Sequence, residues 1–147
     1  MFQNILFPVD FSENNLKVTP YVKQLLASGP TRLLLLYVVR DLTHYAGFYV
    51  PHPNLEGMAQ DLVKGAQRKM EEFQEAHFPG LAGVRTKVLV GDPAECIVEL
   101  AREQGSDLIV MGTHGRRGLE HAIFGSVAEK VVKNAATPVL TINPHRI

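Results

Sequence analysis

The feature that most narrows what this chain can become is the run from Thr31 to Val39, TRLLLLYVV. Leu33, Leu34, Leu35 and Leu36 stand in succession, so no polar face survives at a spacing of two. A strand sends alternate side chains to opposite faces, and this strand is apolar on both. It has to lie inside a sheet that is covered above and below, the usual position of a central parallel strand. Ile5 to Val9 and Leu108 to Met111 are shorter runs of the same kind. Pro8 sits near the end of the first of these, where a lost N–H matters least to a ladder.

Helical patterns fill the intervals. Ser12 can cap a helix through about Ser28, with Leu16, Val22, Leu25 and Leu26 inward. Pro20 falls inside that helix and is expected to kink or split it, and Gly29 and Pro30 end it. Asn54 can cap a second helix. In it Leu55, Met58, Leu62, Ala66, Met70 and Phe73 recur at steps of three and four through about His77, the pattern of a core stripe. Val84, Thr86, Val88 and Val90 alternate with Arg85, Lys87 and Leu89, as in a half-exposed edge strand. Asp92, Pro93 and Glu95 open a third helix, which carries Ile97, Val98, Leu100 and Ala101 to Gly105. The fourth begins at Ser126, where Ser126 and Glu129 have the S-x-x-E spacing of a capping box and Val127, Val131 and Val132 make an apolar face. Pro138 to Ile142 is a last short strand.

The order βαβαβαβαβ predicts an α/β fold: an open, doubly wound, five-stranded parallel sheet with helices on both faces. Strand order 3-2-1-4-5 puts the alternating third strand and the proline-led fifth at the two edges. Residues 1–147 read as a single domain. The connection from Arg40 to Pro53 holds Tyr45, Phe48, Tyr49 and two prolines. At that length it reads as a lid or partner surface, or as a loop packed on its own aromatics.

In a doubly wound sheet, ligands bind beyond the carboxyl ends of the strands, where the winding reverses. With this order the reversal lies between strands one and four. Asp10 follows strand one. Strand four leads into G-x2-G-x9-G-S, formed by Gly112, Gly115, Gly125 and Ser126. Glycines let a main chain pass through φ > 0 or approach a ligand closely. The first N–H groups of a helix have no intrahelical partner and carry about half a positive charge. Together these make a phosphate cradle, to which Arg116 and Arg117 add charge. The alternative is an ordinary loop ended by a cap, with the arginines in a solvated turn. Neither G-x-x-x-x-G-K-[ST] nor G-x-G-x-x-G occurs, which excludes a Walker A loop and a dinucleotide fingerprint.

The glycine spacing resembles the ATP-binding signature of the universal stress protein family. The likeness extends to Phe7-Pro8-Val9-Asp10-Phe11-Ser12-Glu13, Leu35 to Val39, Gly91-Asp92-Pro93-Ala94 and Thr137 to Leu140, and is weakest from Asp41 to Leu81. It implies that Asp10 and the main chain at Val38 lie by adenine and ribose. Gly112, Gly115, Gly125, Ser126 and Val127 would surround the phosphates, with Pro8, Val9, Met111 and His114 in the same shell. It implies ATP as the ligand, with Mg2+ or Mn2+ held by phosphate oxygens and water. It also implies a homodimer through the last strand, where a bare apolar edge invites pairing.

Charge narrows the partners. The 15 acidic and 15 basic residues cancel, which argues against nucleic-acid binding by bulk electrostatics. Cys96 is the only cysteine, so neither a disulfide framework nor a cysteine metal cluster is expected, and an idle thiol is. The sequence has no 18-residue apolar stretch and no leader pattern, so a cytoplasmic protein without a membrane span is the expectation. No metal-ligand spacing and no catalytic set is visible. His114, a loop histidine, is expected to face solvent or a phosphate, and it makes a poor metal pair with His121. The expected activity is that of a nucleotide-dependent regulatory or stress-response module with an unknown protein partner, showing at most weak ATPase activity. The alternatives are a slow ATP hydrolase, an ATP-dependent phosphoryl or adenylyl transferase, or a non-binding scaffold of the same fold.

Overall fold

The computed structural model describes residues 1–41, 55–116 and 123–147. Its elements in chain order are β1 (Asn4–Pro8), α1 (Glu13–Ala27), β2 (Arg32–Arg40), α2 (Leu55–His77), β3 (Val84–Gly91), α3 (Pro93–Glu103), β4 (Leu108–Gly112), α4 (Ser126–Asn134) and β5 (Val139–Ile142). The strands form one parallel sheet in the order β3-β2-β1-β4-β5, as the sequence predicts.

The four leucines of β2 explain why both faces are covered. Leu33 and Leu35 join Ile5, Phe7, Leu108 and Val110 on one face, beneath Val18 and Val22 of α1 and Met70 and Phe73 of α2. Leu34 and Leu36 point the other way, with Leu6, Ile109 and Met111, beneath Ile97 and Leu100 of α3 and Ala128 and Val131 of α4. Each fully buried leucine contributes roughly 1.5–3 kcal/mol relative to an exposed one. In the observed register Ile5 stands against Leu33 and Phe7 against Leu35.

Several local expectations are corrected. Pro20 does not split α1, which runs unbroken from Glu13 to Ala27 with Pro20 on its exposed side. The fully buried residues of α1 are Asn15, Val18, Thr19 and Val22, and Leu25 and Leu26 pack partly buried on the same cluster as expected, while Leu16 is 41% exposed. Two polar residues can be buried there because Asn15 Nδ2 donates to the Pro8 carbonyl at 3.2 Å and Thr19 Oγ1 to the Asn15 carbonyl at 3.4 Å. In α2 Ala66, Met70 and Phe73 are buried, whereas Met58 and Leu62 are exposed. β3 is an edge strand, yet it packs on both clusters, Val84 and Val88 on one and Leu89 on the other, while Val90 is exposed. The expected cap Asn54 and the aromatics Tyr45, Phe48 and Tyr49 lie outside the described residues.

Candidate functional site

β1 and β4 are neighbours, with Ile5 beside Leu108 and Leu6 beside Ile109, so the segments leaving their carboxyl ends share one rim of the sheet. The first of these segments keeps a strand-like contact at Val9, whose N–H donates to the Leu36 carbonyl at 2.7 Å. Asp10 follows, and both of its carboxylate oxygens accept hydrogen bonds. Oδ1 accepts from the Ser12 N–H at 2.9 Å and from Ser12 Oγ at 2.6 Å. Oδ2 accepts from the Arg116 N–H at 3.1 Å, across the point where the winding reverses. Asn14 Nδ2 adds a second tie by donating to the Gly115 carbonyl at 3.2 Å. Phe11, between Asp10 and Ser12, has φ 62°, a left-handed conformation that costs a bulky residue roughly 1–3 kcal/mol.

The second segment is shaped by close backbone approach. None of Gly112, Gly115 and Gly125 has a left-handed φ. What each lacks is room for a side chain. A Cβ on Gly112 would stand 3.1 Å from the His114 carbonyl and 3.3 Å from Val18 Cγ2. On Gly115 it would stand 2.6 Å from Asp10 Oδ2, and on Gly125 it would stand 3.2 Å from the Thr113 carbonyl. The Gly125 N–H donates to that same carbonyl at 2.6 Å, and the Thr113 N–H to the Ile142 carbonyl at 2.9 Å. Of the two expectations for His114, solvent or a phosphate, the first does not hold. The residue is 2% exposed, its Nδ1 lies 2.7 Å from Thr113 Oγ1, and its ring meets that of His145 edge-on with centroids 4.9 Å apart.

The expected capping box of α4 does not form. Gly125 is the N-cap residue, Ser126 is the first helical residue, and no side chain caps the helix. Glu129 turns the other way, to Lys133 Nζ at 2.7 Å, and that hydrogen bond holds its carboxyl below the usual range. By contrast, Ser12 Oγ caps α1 by accepting from the Asn15 N–H, and Asp92 Oδ2 caps α3 by accepting from the Glu95 N–H. Among the described residues, the first-turn N–H groups of α4 therefore have no side-chain cap, and the N-cap residue Gly125 lies against the Thr113–Gly115 backbone.

Asp10, Gly115 and Arg116 meet directly, and Gly125 packs on the turn holding Thr113 and His114. Ser126 is exposed and Val127 half-buried at the head of α4. Pro8 contributes its carbonyl to Asn15. Met111 is 6% exposed with its side chain in the core, so only its main chain faces this rim. Val38 pairs with Leu89 one strand further out, and Arg117 lies outside the described residues. Asn14, Phe11 and His145 belong to the arrangement without having been picked out from the sequence. Asn14 carried a signal, a polar residue in the first turn of a helix that starts next to Asp10. His145 carried none. Among the described residues, no group of three His, Cys, Asp or Glu side chains gathers as a metal site, and no helix is long and apolar enough to cross a membrane. Cys96 lies on α3, where burial first, and then Asp92, Glu99 and Glu95, push its thiol pKa up, which disfavours the reactive thiolate.

Comparison with known proteins gives this geometry relatives. The model of the universal stress protein family matches residues 1–143. Universal stress protein MJ0531 of Methanocaldococcus jannaschii is 32% identical, over 97% of this chain and 82% of its own. MJ0577 of the same organism is also 32% identical, over 97% of this chain and 95% of its own. The solved structure of MJ0577 superposes with a TM-score of 0.85 at 30% identity, covering 97% of this chain and 96% of that one. A universal stress protein solved in complex with cAMP shares the fold, with a TM-score of 0.65 at 22% identity over 97% of this chain and 98% of its own.

Proposed function

This chain belongs to the universal stress protein family, and from that premise we propose that it is a single ATP-binding domain, residues 1–147, acting as a nucleotide-dependent regulatory module. The observation that carries the reading is the uncapped N-terminus of α4 beside the glycine turn. Among the described residues its first-turn N–H groups lack a side-chain cap, and Gly115 and Gly125 keep the adjoining backbone bare of side chains. Such a surface suits the oxygens of a phosphate chain. We assign Gly112, Gly115, Gly125, Ser126 and Val127 to the phosphates, with His114, Arg116 and Arg117 beside them. Asp10 and the main chain at Val38 are assigned to the adenosine end, with Pro8, Val9 and Met111 forming the floor. Mg2+ or Mn2+ would arrive with the nucleotide and be held largely by phosphate oxygens and water. The complex of a fold relative with cAMP is in keeping with an adenine nucleotide as ligand.

The regulatory reading further proposes a homodimer through β5. That edge carries Leu140 at 40% exposure, and the adjoining α4 carries Val132 at 44%. An exposed apolar edge strand is a template for pairing with a second copy. The reading also proposes turnover far below the median enzyme rate of about 10 per second. The ring of His114 is buried and its Nδ1 is engaged with Thr113, which leaves it poorly placed to activate water.

The test is calorimetric titration of the purified protein with Mg-ATP and with NAD, beside mass spectrometry of any ligand that copurifies. ATP binding without NAD binding is expected, and the reverse would overturn the proposal. Rapid phosphate release at saturating Mg-ATP would convert the reading to that of an enzyme.

A further inference from the structure

Among the described residues, Phe11 is the only non-glycine residue with positive φ, at 62°. It stands between the two residues that make the Asp10 turn. A phenylalanine does not take the left-handed region on its own preference, so something outside the backbone has to hold it there. Its ring supplies the hold. It lies against Tyr37 of β2 with centroids 4.8 Å apart, and meets Phe73 of α2 nearly edge-on at 6.0 Å. Lys69 Nζ sits 5.9 Å from its centroid. Three side chains from two elements thus fix a conformation that the local sequence disfavours.

That conformation has one visible consequence. It folds the chain so that the Ser12 N–H and Oγ both reach Asp10 Oδ1, leaving Oδ2 free to cross to the Arg116 N–H. We propose that Phe11 is a positioning residue of the nucleotide site. Its ring, clamped by Tyr37, Phe73 and Lys69, holds the backbone that aims Asp10 at the glycine turn, so the two halves of the site are joined before nucleotide arrives. This rests on the ATP-binding reading for its purpose, but the clamp can be measured without ligand.

The experiment uses the full chain with Phe11→Leu, Phe11→Ala and Phe11→Tyr, all below the melting transition. Amide proton exchange at Arg116 is followed by NMR without nucleotide, and ATP affinity by calorimetry. Phe11→Ala should speed exchange at Arg116 by tenfold or more and weaken ATP by a similar factor. Phe11→Tyr, which keeps the ring, should leave both as in wild type. Phe11→Leu serves if the alanine variant fails to fold, and should fall between. In the Asp10→Ala background, the further loss of ATP affinity from Phe11→Leu should shrink to less than twofold, because Phe11 acts through Asp10. Unchanged Arg116 exchange in folded Phe11→Leu overturns the clamp. Faster exchange with undiminished ATP affinity overturns its role in binding. If wild type binds no ATP while exchange still responds, the ATP reading falls and the clamp stands.

Discussion

Gly115→Ala isolates one contact. The new Cβ would lie 2.6 Å from Asp10 Oδ2, and the next atom it would meet is Asp10 Cγ at 3.8 Å. Among the described residues other than its chain neighbours nothing else stands within 4 Å, and φ at Gly115 is outside the left-handed range, so there the methyl group opposes the carboxylate. The oxygen has to withdraw by about 0.8 Å to reach an ordinary carbon–oxygen contact of 3.4 Å. Arg116 N–H to Oδ2 is already 3.1 Å, and a retreat of that size takes it out of hydrogen-bonding range. A hydrogen bond to an ionised group contributes about 1.5–3 kcal/mol. This one is exposed to solvent, which reduces it to about 1 kcal/mol. For a chain of this size that corresponds to a fall in Tm of about 2–4 °C. Thermal melts of wild type, Gly115→Ala, Asp10→Ala and the double variant make the assay. Without the carboxylate that contact is gone, so Gly115→Ala should cost less than about 0.5 kcal/mol in the Asp10→Ala background, leaving a coupling of about 1 kcal/mol. An equal cost in both backgrounds would refute the reasoning, since glycine would then be required for a reason other than the approach of Asp10.

Ser126→Ala should change stability by no more than about 0.5 kcal/mol, because the hydroxyl is exposed and caps nothing; reduced ATP affinity at unchanged Tm would identify it as a phosphate contact. Gly125→Val should lower both Tm and ATP affinity, by about 1–3 kcal/mol in stability, because its Cβ presses on the Thr113 carbonyl at 3.2 Å and the valine methyls add to the crowding; an unchanged melt would contradict that packing. Leu140→Lys should shift light scattering from dimer to monomer mass without unfolding the chain, and a wild-type monomer at high concentration would contradict the proposed pairing. Cys96 should alkylate more slowly in the folded protein than in denaturant near pH 8, and faster as pH rises through its elevated pKa, whereas folded-state labelling at the unfolded rate would contradict the burial.

The sheet was legible because its signal is redundant. Four adjacent leucines demand cover on two faces, and alternating strand and helix patterns leave few ways to supply it. The helix faces were harder to read where polar atoms hide by bonding to backbone. Asn15 and Thr19 occupy the buried stripe of α1 because carbonyls at Pro8 and Asn15 accept their protons, and no hydropathy pattern registers that. Spacing overstated Met58 and Leu62, since periodicity describes a helix face and not whether anything lies opposite it. At the site, glycine positions were readable while the reason for them was not. The motif suggested positive φ or close approach to a ligand, and the bare Cα positions of Gly115 and Gly125 stand where Asp10 and Thr113 of the chain itself press close. The S-x-x-E spacing misplaced a cap because a glycine one residue earlier took the N-cap position and Lys133 drew Glu129 away. Part of the packing around the His114 ring comes from His145, which is adjacent only after folding.

The hydrogen bond from the Gly125 N–H to the Thr113 carbonyl ties together two points twelve positions apart in the chain. Such a tie sets the end of β4 against the start of α4 by itself, so a change at either point should be felt by both elements. Gly112, Thr113 and Gly125 should therefore resist substitution over evolution, because a side chain at either glycine would press on the backbone that this tie draws together.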